Sequence, residues 1–569
     1  MSLVNSDLSS VNPSPDFVVA ITQKSVNASL KQFLNQQEPK ETILYFVKGA
    51  QGQPELADPG NLKSNSSFSD PFAIKQGTKV TDNTTLKTLR ESGLLLAVKV
   101  MSGLPKTASG KPVLKLPDVL TLIGGTEVHY TLLFANFAVA YFKGEQDNEA
   151  WICQNQTPEN LYSFKTKVNL KIGDIDRNDL DDYDSAVKEK IRNFGPDAFS
   201  IRQLFFDLEH SVPLQVPDIE GISKNTPLYD CLSLLYKELV KQRQSLSLGT
   251  VVQNKNISKS SISLAGFNFM ISPYRSDGNT DSEQNGLATL NYICSSSNRS
   301  VSNPPPFQWN WIDYKPSEIQ PDGVLSIKRE VFLNWLRSAV AQSFQNMCLR
   351  PDCKINAGWT ITYNLNFLQE NNSYFFNIIP ERVYPDGFKC VMKFTYENSS
   401  DDDYFQLFRW GNMECKYKID SEVFLRGNSI KFYTYIDVWL HMNYQSGITE
   451  GRVVQCEIEN VFDITVDGNG KLAVVRQPTI KKNYSSRLEV STWSKVFAFG
   501  RTDDMVNVQE KFSQEYLDKF VKILESIENE LNGPASWVFP AGNSFTFKDV
   551  QLSQNLDLVA SITYTKQKP

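Results

Sequence analysis

The sequence predicts an α+β protein rich in strands, built as two tandem modules in which long, strongly twisted antiparallel strands wrap around amphipathic helices. Three observations predict it: long stretches of period-two alternation, a small number of helical stripes, and a strand-then-helix opening that occurs once in each half.

The first helix follows the apolar run Phe17 to Ile21. Val26, Leu30, Phe33 and Leu34 stand at i, i+4, i+7 and i+8, one helical face, and Pro39 closes the segment. A second helix opens at Thr226-Pro227, a capping hydroxyl followed by a residue with no amide hydrogen to leave unpaired. Its apolar side is Leu228, Leu232, Leu235, Tyr236, Leu239 and Val240. The third follows Val324 to Ile327 and carries Phe332, Trp335, Leu336, Ala339, Val340 and Met347 before Pro351. The fourth has Ser513 as N-cap, then Leu517, Phe520, Leu524, Ile527 and Leu531, and stops at Gly533-Pro534.

Strand patterns fill the remainder. Trp359, Ile361, Tyr363, Leu365 and Phe367 alternate with polar residues. From Phe432 to Asn443, Phe432, Ile436, Val438, Leu440 and Met442 share one face while Tyr433, Tyr435 and Trp439 share the other. Asp467-Gly468-Asn469-Gly470 reads as a hairpin turn. Each half closes with strands, Ser261 to Ile271 in the first and Phe545 to Phe547, then Leu556 to Tyr564, in the second. The halves therefore read as a duplication, with a first module at 1–290, a linker at 291–322 that includes Pro304-Pro305-Pro306, and a second module at 323–569. Two helices cannot cover so many long strands on both faces, so each sheet must curl around its helices.

Composition narrows the function. The 569 residues are 41% hydrophobic, 12% aromatic and 21% charged, which excludes a disordered chain. A net charge of −6 gives no basic excess for phosphate backbones, so nucleic acid is not expected as a partner. Three histidines, His129, His210 and His441, restrict imidazole chemistry. The start has neither the basic nor the apolar character of a secretory signal, and the longest apolar stretch, Leu132 to Phe142, is too short to span a bilayer as a helix. The expectation is a cytoplasmic protein, with non-classical export as the other route. The eight cysteines form no CxxC pair and are expected as free thiols, and sequons such as those at Asn27, Asn65 and Asn83 are read as incidental.

Chemical motifs fail on inspection. Gly103 to Pro112 lacks the spacing and the hydroxyl of a phosphate loop. Asp174, Asp176 and Asn178 begin like a calcium loop, but Asp179 replaces the turn glycine and Ser185 the bidentate glutamate. Asp401, Asp402 and Asp403 read as a charged loop tip, and His210 as a structural histidine. No catalytic residue, metal or cofactor is expected. An apolar ligand needs no motif: at about 0.8 kcal/mol per buried methylene, ten methylenes contribute on the order of 8 kcal/mol before the costs of association.

The opening D-F-V-V-A-I-T-Q-K-S-V-N-A-S-L (Asp16 to Leu30), echoed at Val324 to Leu336, resembles the module start of the tubular lipid-binding (TULIP) superfamily. It is most like the accessory proteins encoded beside clostridial botulinum-type neurotoxins, with their D-x-V-x-A-I-x-x-x-x-V-N beginning. The resemblance implies modules in which a twisted sheet wraps a long helix, and relatives that bind phospholipids, sterols or acyl chains with no fixed catalytic residues. It transfers only the seam-facing positions of the two opening helices: Val26, Leu30 and Phe33, then Phe332, Trp335 and Leu336.

The expected function is non-enzymatic binding or carriage of an elongated apolar ligand, with transient contact at a membrane surface. The alternative is an interaction or structural accessory whose core is packed and holds no small ligand. An enzyme using two facing carboxylates ranks last, because no spacing singles out such a pair.

Overall fold

The computed structural model describes residues 2–36, 40–58, 69–106, 116–144, 149–175, 198–206, 212–242, 247–254, 266–275, 284, 286–296, 301–302, 304–316, 318–357, 361–406, 409–444, 447–485, 521–523, 525 and 545–564. The fold is α+β and rich in strands, with several antiparallel sheets and few helices.

In the first half β1 (Phe17–Thr22) runs directly into α1 (Gln23–Gln36). There follow β2 (Glu41–Lys48), β3 (Pro54–Leu56), α2 (Thr84–Glu91), β4 (Leu94–Met101), β5 (Leu120–Gly124), β6 (Glu127–Leu132), β7 (Asn136–Lys143) and β8 (Ala150–Asn155). Next come β9 (Phe164–Ile175), β10 (Ala198–Phe206), β11 (Val212–Gln215), α3 (Pro227–Gln242), β12 (Ser247–Asn254), β13 (Gly266–Ser272) and β14 (Thr289–Ser295). Helix α3 starts where its sequence requires: Thr226 Oγ1 accepts the Tyr229 N–H at 3.3 Å, just ahead of a first residue that is proline. Two sheets result, one ordered β3-β2-β4-β7-β8 and one β12-β10-β9-β6-β5 with β11 on β9.

The second half opens with β15 (Gly323–Ile327), α4 (Arg329–Ala339) and α5 (Ala341–Met347). The helical stripe expected from Phe332 to Met347 is thus two helices broken at Val340, whose carbonyl still accepts the Phe344 N–H at 3.3 Å. After them come β16 (Leu349–Ala357), β17 (Ile361–Gln369), β18 (Asn377–Val383), β19 (Lys389–Gln406), β20 (Arg409–Arg426), β21 (Ser429–Tyr444), β22 (Gly447–Val466), β23 (Leu472–Arg476), β24 (Ile480–Asn483), β25 (Phe545–Leu552) and β26 (Leu558–Tyr564). Strands β16 and β17 pair alone, and β18 to β24 form one sheet of seven. Its four long strands have 18, 18, 16 and 20 residues, so each reaches roughly 50 to 65 Å. On β21 the expected division holds: Phe432, Ile436, Val438, Leu440 and Met442 are buried, while Tyr433, Tyr435 and Trp439 are half-exposed. The Asp467–Gly470 turn joins β22 to β23 with Val466 opposite Leu472, and Gly470 supplies the φ of +73° that a side chain resists. Asp401 to Asp403 lie in β19, opposite Glu414, Met413 and Asn412 of β20, and so are not the loop tip their composition suggested. The fourth helical segment falls outside the described residues except for 521–523 and Glu525, so Ser513, Leu517, Phe520, Leu524, Ile527 and Leu531 are not placed.

A six-stranded sheet, β13-β14-β1-β15-β26-β25, joins the halves. The two opening strands are its central pair, antiparallel, with Phe17 opposite Ile327 and Ile21 opposite Gly323. Glycine is required there because a Cβ at Gly323 would lie 2.3 Å from the Ala20 carbonyl oxygen. On either side the order repeats, opener, last strand, penultimate strand. Hydrogen bonds repeat as well. Asp16 donates its N–H to the Cys294 carbonyl and accepts at its own carbonyl from Lys328; Asp322 donates to Ile562 and accepts from Thr22. The two carboxylates fasten the neighbouring strand ends, Asp16 to Ser296 at 2.7 Å and Asp322 to Thr563 at 2.8 Å.

Both faces of this sheet are covered, which is why β1 reads as an apolar run up to Thr22 and every residue of β15, Ser326 included, is buried. Phe17, Ile21, Leu325 and Ile327 join the main interior. Val18, Ala20, Val324 and Val559 meet the N-terminal segment through Leu3, Leu8 and Val11, and also Phe307, Trp309, Trp311 and Ile312. Part of the stretch that reads as linker is therefore a buried aromatic cover, its three rings 4.9 to 5.5 Å apart.

Asp557 ties the N-terminal segment down. Its buried carboxylate accepts from the Leu8 N–H at 2.7 Å, Ser6 Oγ at 2.9 Å and the Arg329 N–H that opens α4 at 3.2 Å. Burial outweighs these bonds and pushes its carboxyl up to about 6, above the ordinary 3.8. The folded chain thus binds a proton that the unfolded chain has already lost between those two values, and this group adds stability as pH falls from about 7 to about 4. Chemical denaturation across that interval is expected to show that Asp557→Asn loses more stability, or gains less, than the parent as pH is lowered from about 7 to about 4; a stability difference between the two that does not change with pH would count against it.

Candidate functional site

The candidate site is the apolar interior between helices and sheets. On α1, the 3.6-residue repeat puts Val26, Leu30 and Leu34 inside. On α3 it puts Leu232, Leu235, Tyr236 and Leu239 inside, and on α4 Phe332, Leu333 and Leu336. These side chains belong to one continuous cluster with residues of all five sheets. Of the positions expected to line a seam, Val26, Leu30, Phe332 and Leu336 are buried in that cluster, and Trp335 is half-buried against it, stacked on Phe332 at 5.7 Å. The side chain of Phe33 lies outside the described residues. Because β1 and β15 are antiparallel, α1 and α4 leave the central sheet at opposite ends.

Alpha-helix α1 also carries an amide pair that periodicity did not reveal. Asn27 is buried and reads the backbone of Leu120 in both directions, accepting its N–H at 2.8 Å and donating to its carbonyl at 2.7 Å. One turn earlier, Gln23 accepts the Leu122 N–H at 2.7 Å. Strand β5 is the edge of its sheet, and these two side chains complete its ladder. The buried amide at Asn27 serves backbone pairing, so this sequon is no glycan acceptor. The signal was present in the sequence as polar Gln23 and Asn27 at i, i+4 beside the apolar stripe.

Several polar groups inside are neutral and paired, while Asn460, buried opposite Phe432, accepts from Thr479 at 2.6 Å and leaves its Nδ2 without a partner. Tyr417 donates to the Met347 carbonyl at 2.7 Å, Tyr236 meets Thr166 at 2.7 Å, and Ser421 meets Thr434 at 2.9 Å. Burial pushes the thiols of Cys348 and Cys456 up to about 12 and that of Cys353 to about 11, so at neutral pH they are protonated and weakly nucleophilic. All eight cysteines are free. This lining is of a kind that can hold hydrocarbon.

Other candidates do not converge with it. His129 stands on β6, 3.9 Å from Glu127, with its basicity lowered first by burial and next by Lys165. His441 stands on β21, 3.1 Å from Glu450. His210, Asp176, Asn178, Asp179 and Ser185 lie outside the described residues, and Asp174 is opposite Arg202 in the β9–β10 ladder. Among the described residues, no group of three or more His, Cys, Asp or Glu is placed to hold a metal ion. No helix among them is long and apolar enough to cross a membrane.

No family model matches the sequence, and a search of curated proteins finds no match. Among solved structures, the chain is similar to P47 of Clostridium botulinum E1, at 12% identity and a TM-score of 0.41, over 97% of this chain and 99% of that one. It is also similar to lipopolysaccharide binding protein, at 9% identity and a TM-score of 0.29, again over 97% of this chain and 99% of that one.

Proposed function

We propose that this chain binds or carries an elongated apolar ligand, a lipid or fatty acid, without catalysing a reaction on it. The ligand lies in a seam between the helices and the inner faces of the sheets, lined by Val26, Leu30 and Phe33 on α1 and by Phe332, Trp335 and Leu336 on α4. One observation carries this reading: the apolar interior is continuous from Phe17 to Ile562, and polar side chains at its edge such as Tyr417, Tyr236, Thr166, Ser421 and Thr434 are uncharged and hydrogen-bonded. Such a lining favours hydrocarbon and penalises charge. The proposed modules are 1–290 and 323–569 with 291–322 between them. The repeated order of the central sheet and the matched bonds of Asp16 and Asp322 support them.

A packed interior serving an interaction or structural role is the second reading. It is favoured by the rings around α5, where Phe344 lies 4.6 Å from Phe376, 5.3 Å from Phe394 and 6.1 Å from Phe432. Native mass spectrometry of the gently purified full chain separates the two. Carriage gives a mass excess that organic extraction removes and identifies as lipid; a clean unliganded mass in repeated preparations selects the packed reading.

A further inference from the structure

The far ends of the long strands carry apolar side chains that the interior does not use. Phe405 on β19 is 83% exposed and stands directly opposite Trp410 on β20, which is 36% exposed. On the next hairpin Ile448 is 52% exposed and stands opposite Asn443. Following the registers across, Asn412 pairs with Asn443, so Phe405, Trp410 and Ile448 project from the same outer face of the sheet. In sequence, Tyr404-Phe405-Gln406-Leu407-Phe408-Arg409-Trp410 contains one charge, and it is positive.

Just behind this rim the outer face changes character. Asp403 accepts from Asn412, Glu414 pairs with Lys416 at 2.9 Å, and His441 pairs with Glu450 at 3.1 Å. Lys416 also sits 4.7 Å above the Trp439 ring. An apolar, aromatic rim is thus backed by a band of charged and polar side chains, the layering found where a protein meets a lipid headgroup region.

We infer that the joined ends of β19–β20 and β21–β22 dock on a phospholipid membrane surface, with Phe405, Trp410 and Ile448 entering the interface and Arg409 meeting lipid phosphate. A bilayer accepts insertion of a few aromatic and aliphatic groups, and the described strand ends offer Phe405, Trp410 and Ile448 beside the cationic Arg409. The exposed Asp401 and Asp403 behind the rim confine contact with an anionic bilayer to the tip. This goes beyond ligand carriage and does not depend on it: the rim can dock whether or not the interior holds lipid.

The test is flotation of the full chain with phosphatidylcholine vesicles, with and without phosphatidylserine. The parent is expected to float with both, and more with phosphatidylserine. F405S/W410S/I448S is expected to bind about tenfold or more weakly, given three apolar groups removed from the interface. V383S alters another exposed residue, on β18 at the opposite end of the sheet, and is expected to float like the parent. Trp410 is one of nine tryptophans, so the blue shift on vesicle addition is compared with that of W410F, where it is expected to shrink. The inference is overturned if the parent floats with neither vesicle, if the triple variant floats as well as the parent, or if V383S loses as much. It is equally overturned if the parent is a dimer without lipid that the triple variant makes monomeric. The native mass of each variant reports on carriage separately, since the substituted residues lie outside the interior.

Discussion

Replacing Phe432 with alanine is expected to lower the stability of the chain by about 3 to 5 kcal/mol, the usual cost of emptying a large aromatic site that cannot collapse. Phe432 is fully buried, and its ring meets Phe462 at 5.7 Å and Phe344 at 6.1 Å. Its neighbours stand on a helix and on strands held by long ladders, which leaves little room for relaxation. The shift of the urea unfolding midpoint measures the loss. The result also bears on function: a loss under about 1 kcal/mol would mean that the interior at α5 adapts as a ligand seam must, and would weaken the packed reading.

The second large effect is expected at Asn27. Leucine there keeps the branching but strands the N–H and the carbonyl of Leu120 on a buried edge, and each orphaned group costs about 1 to 3 kcal/mol. The expected loss is about 2 to 5 kcal/mol in the same measurement. Hydrogen exchange should place the damage, because β5 lies next to the amide: faster exchange at Leu120 and Leu122 is expected, with β21 unchanged. A leucine variant as stable as the parent would remove the case that α1 completes the β5 ladder.

Much of this architecture was legible because burial imposes a period. The one-sided stripes of Val26, Leu30 and Leu34 and of Leu232, Leu235 and Leu239 announced helices, and the two-residue repeat from Phe432 to Met442 announced a strand. What escaped has other causes. Asp401 to Asp403 read as a loop because charge normally marks one, yet strand pairing with β20 fixes them, and Asp402 accepts the Ile355 N–H at 2.6 Å. The aromatic cover at Phe307, Trp309 and Trp311 was hidden by the prolines before it, although its spacing of two was a sign of burial. The bonds of Asp16 and Asp322 join residues far apart in sequence, which no local pattern encodes. Of the candidate lining, the helical positions followed from periodicity; whether such a position faces ligand or a neighbouring side chain has no local signature, since both demand the same apolar residue.

The placement of β1 beside β15 has a consequence for fragments. Severed from its counterpart, each half would bare a greasy strand with unsatisfied amides along its length, an invitation to pair with any similar rim. The first half expressed by itself would find its best substitute in its twin, the two copies of Phe17–Thr22 pairing antiparallel about a two-fold axis and rebuilding as a dimer the junction that the intact polypeptide makes within itself.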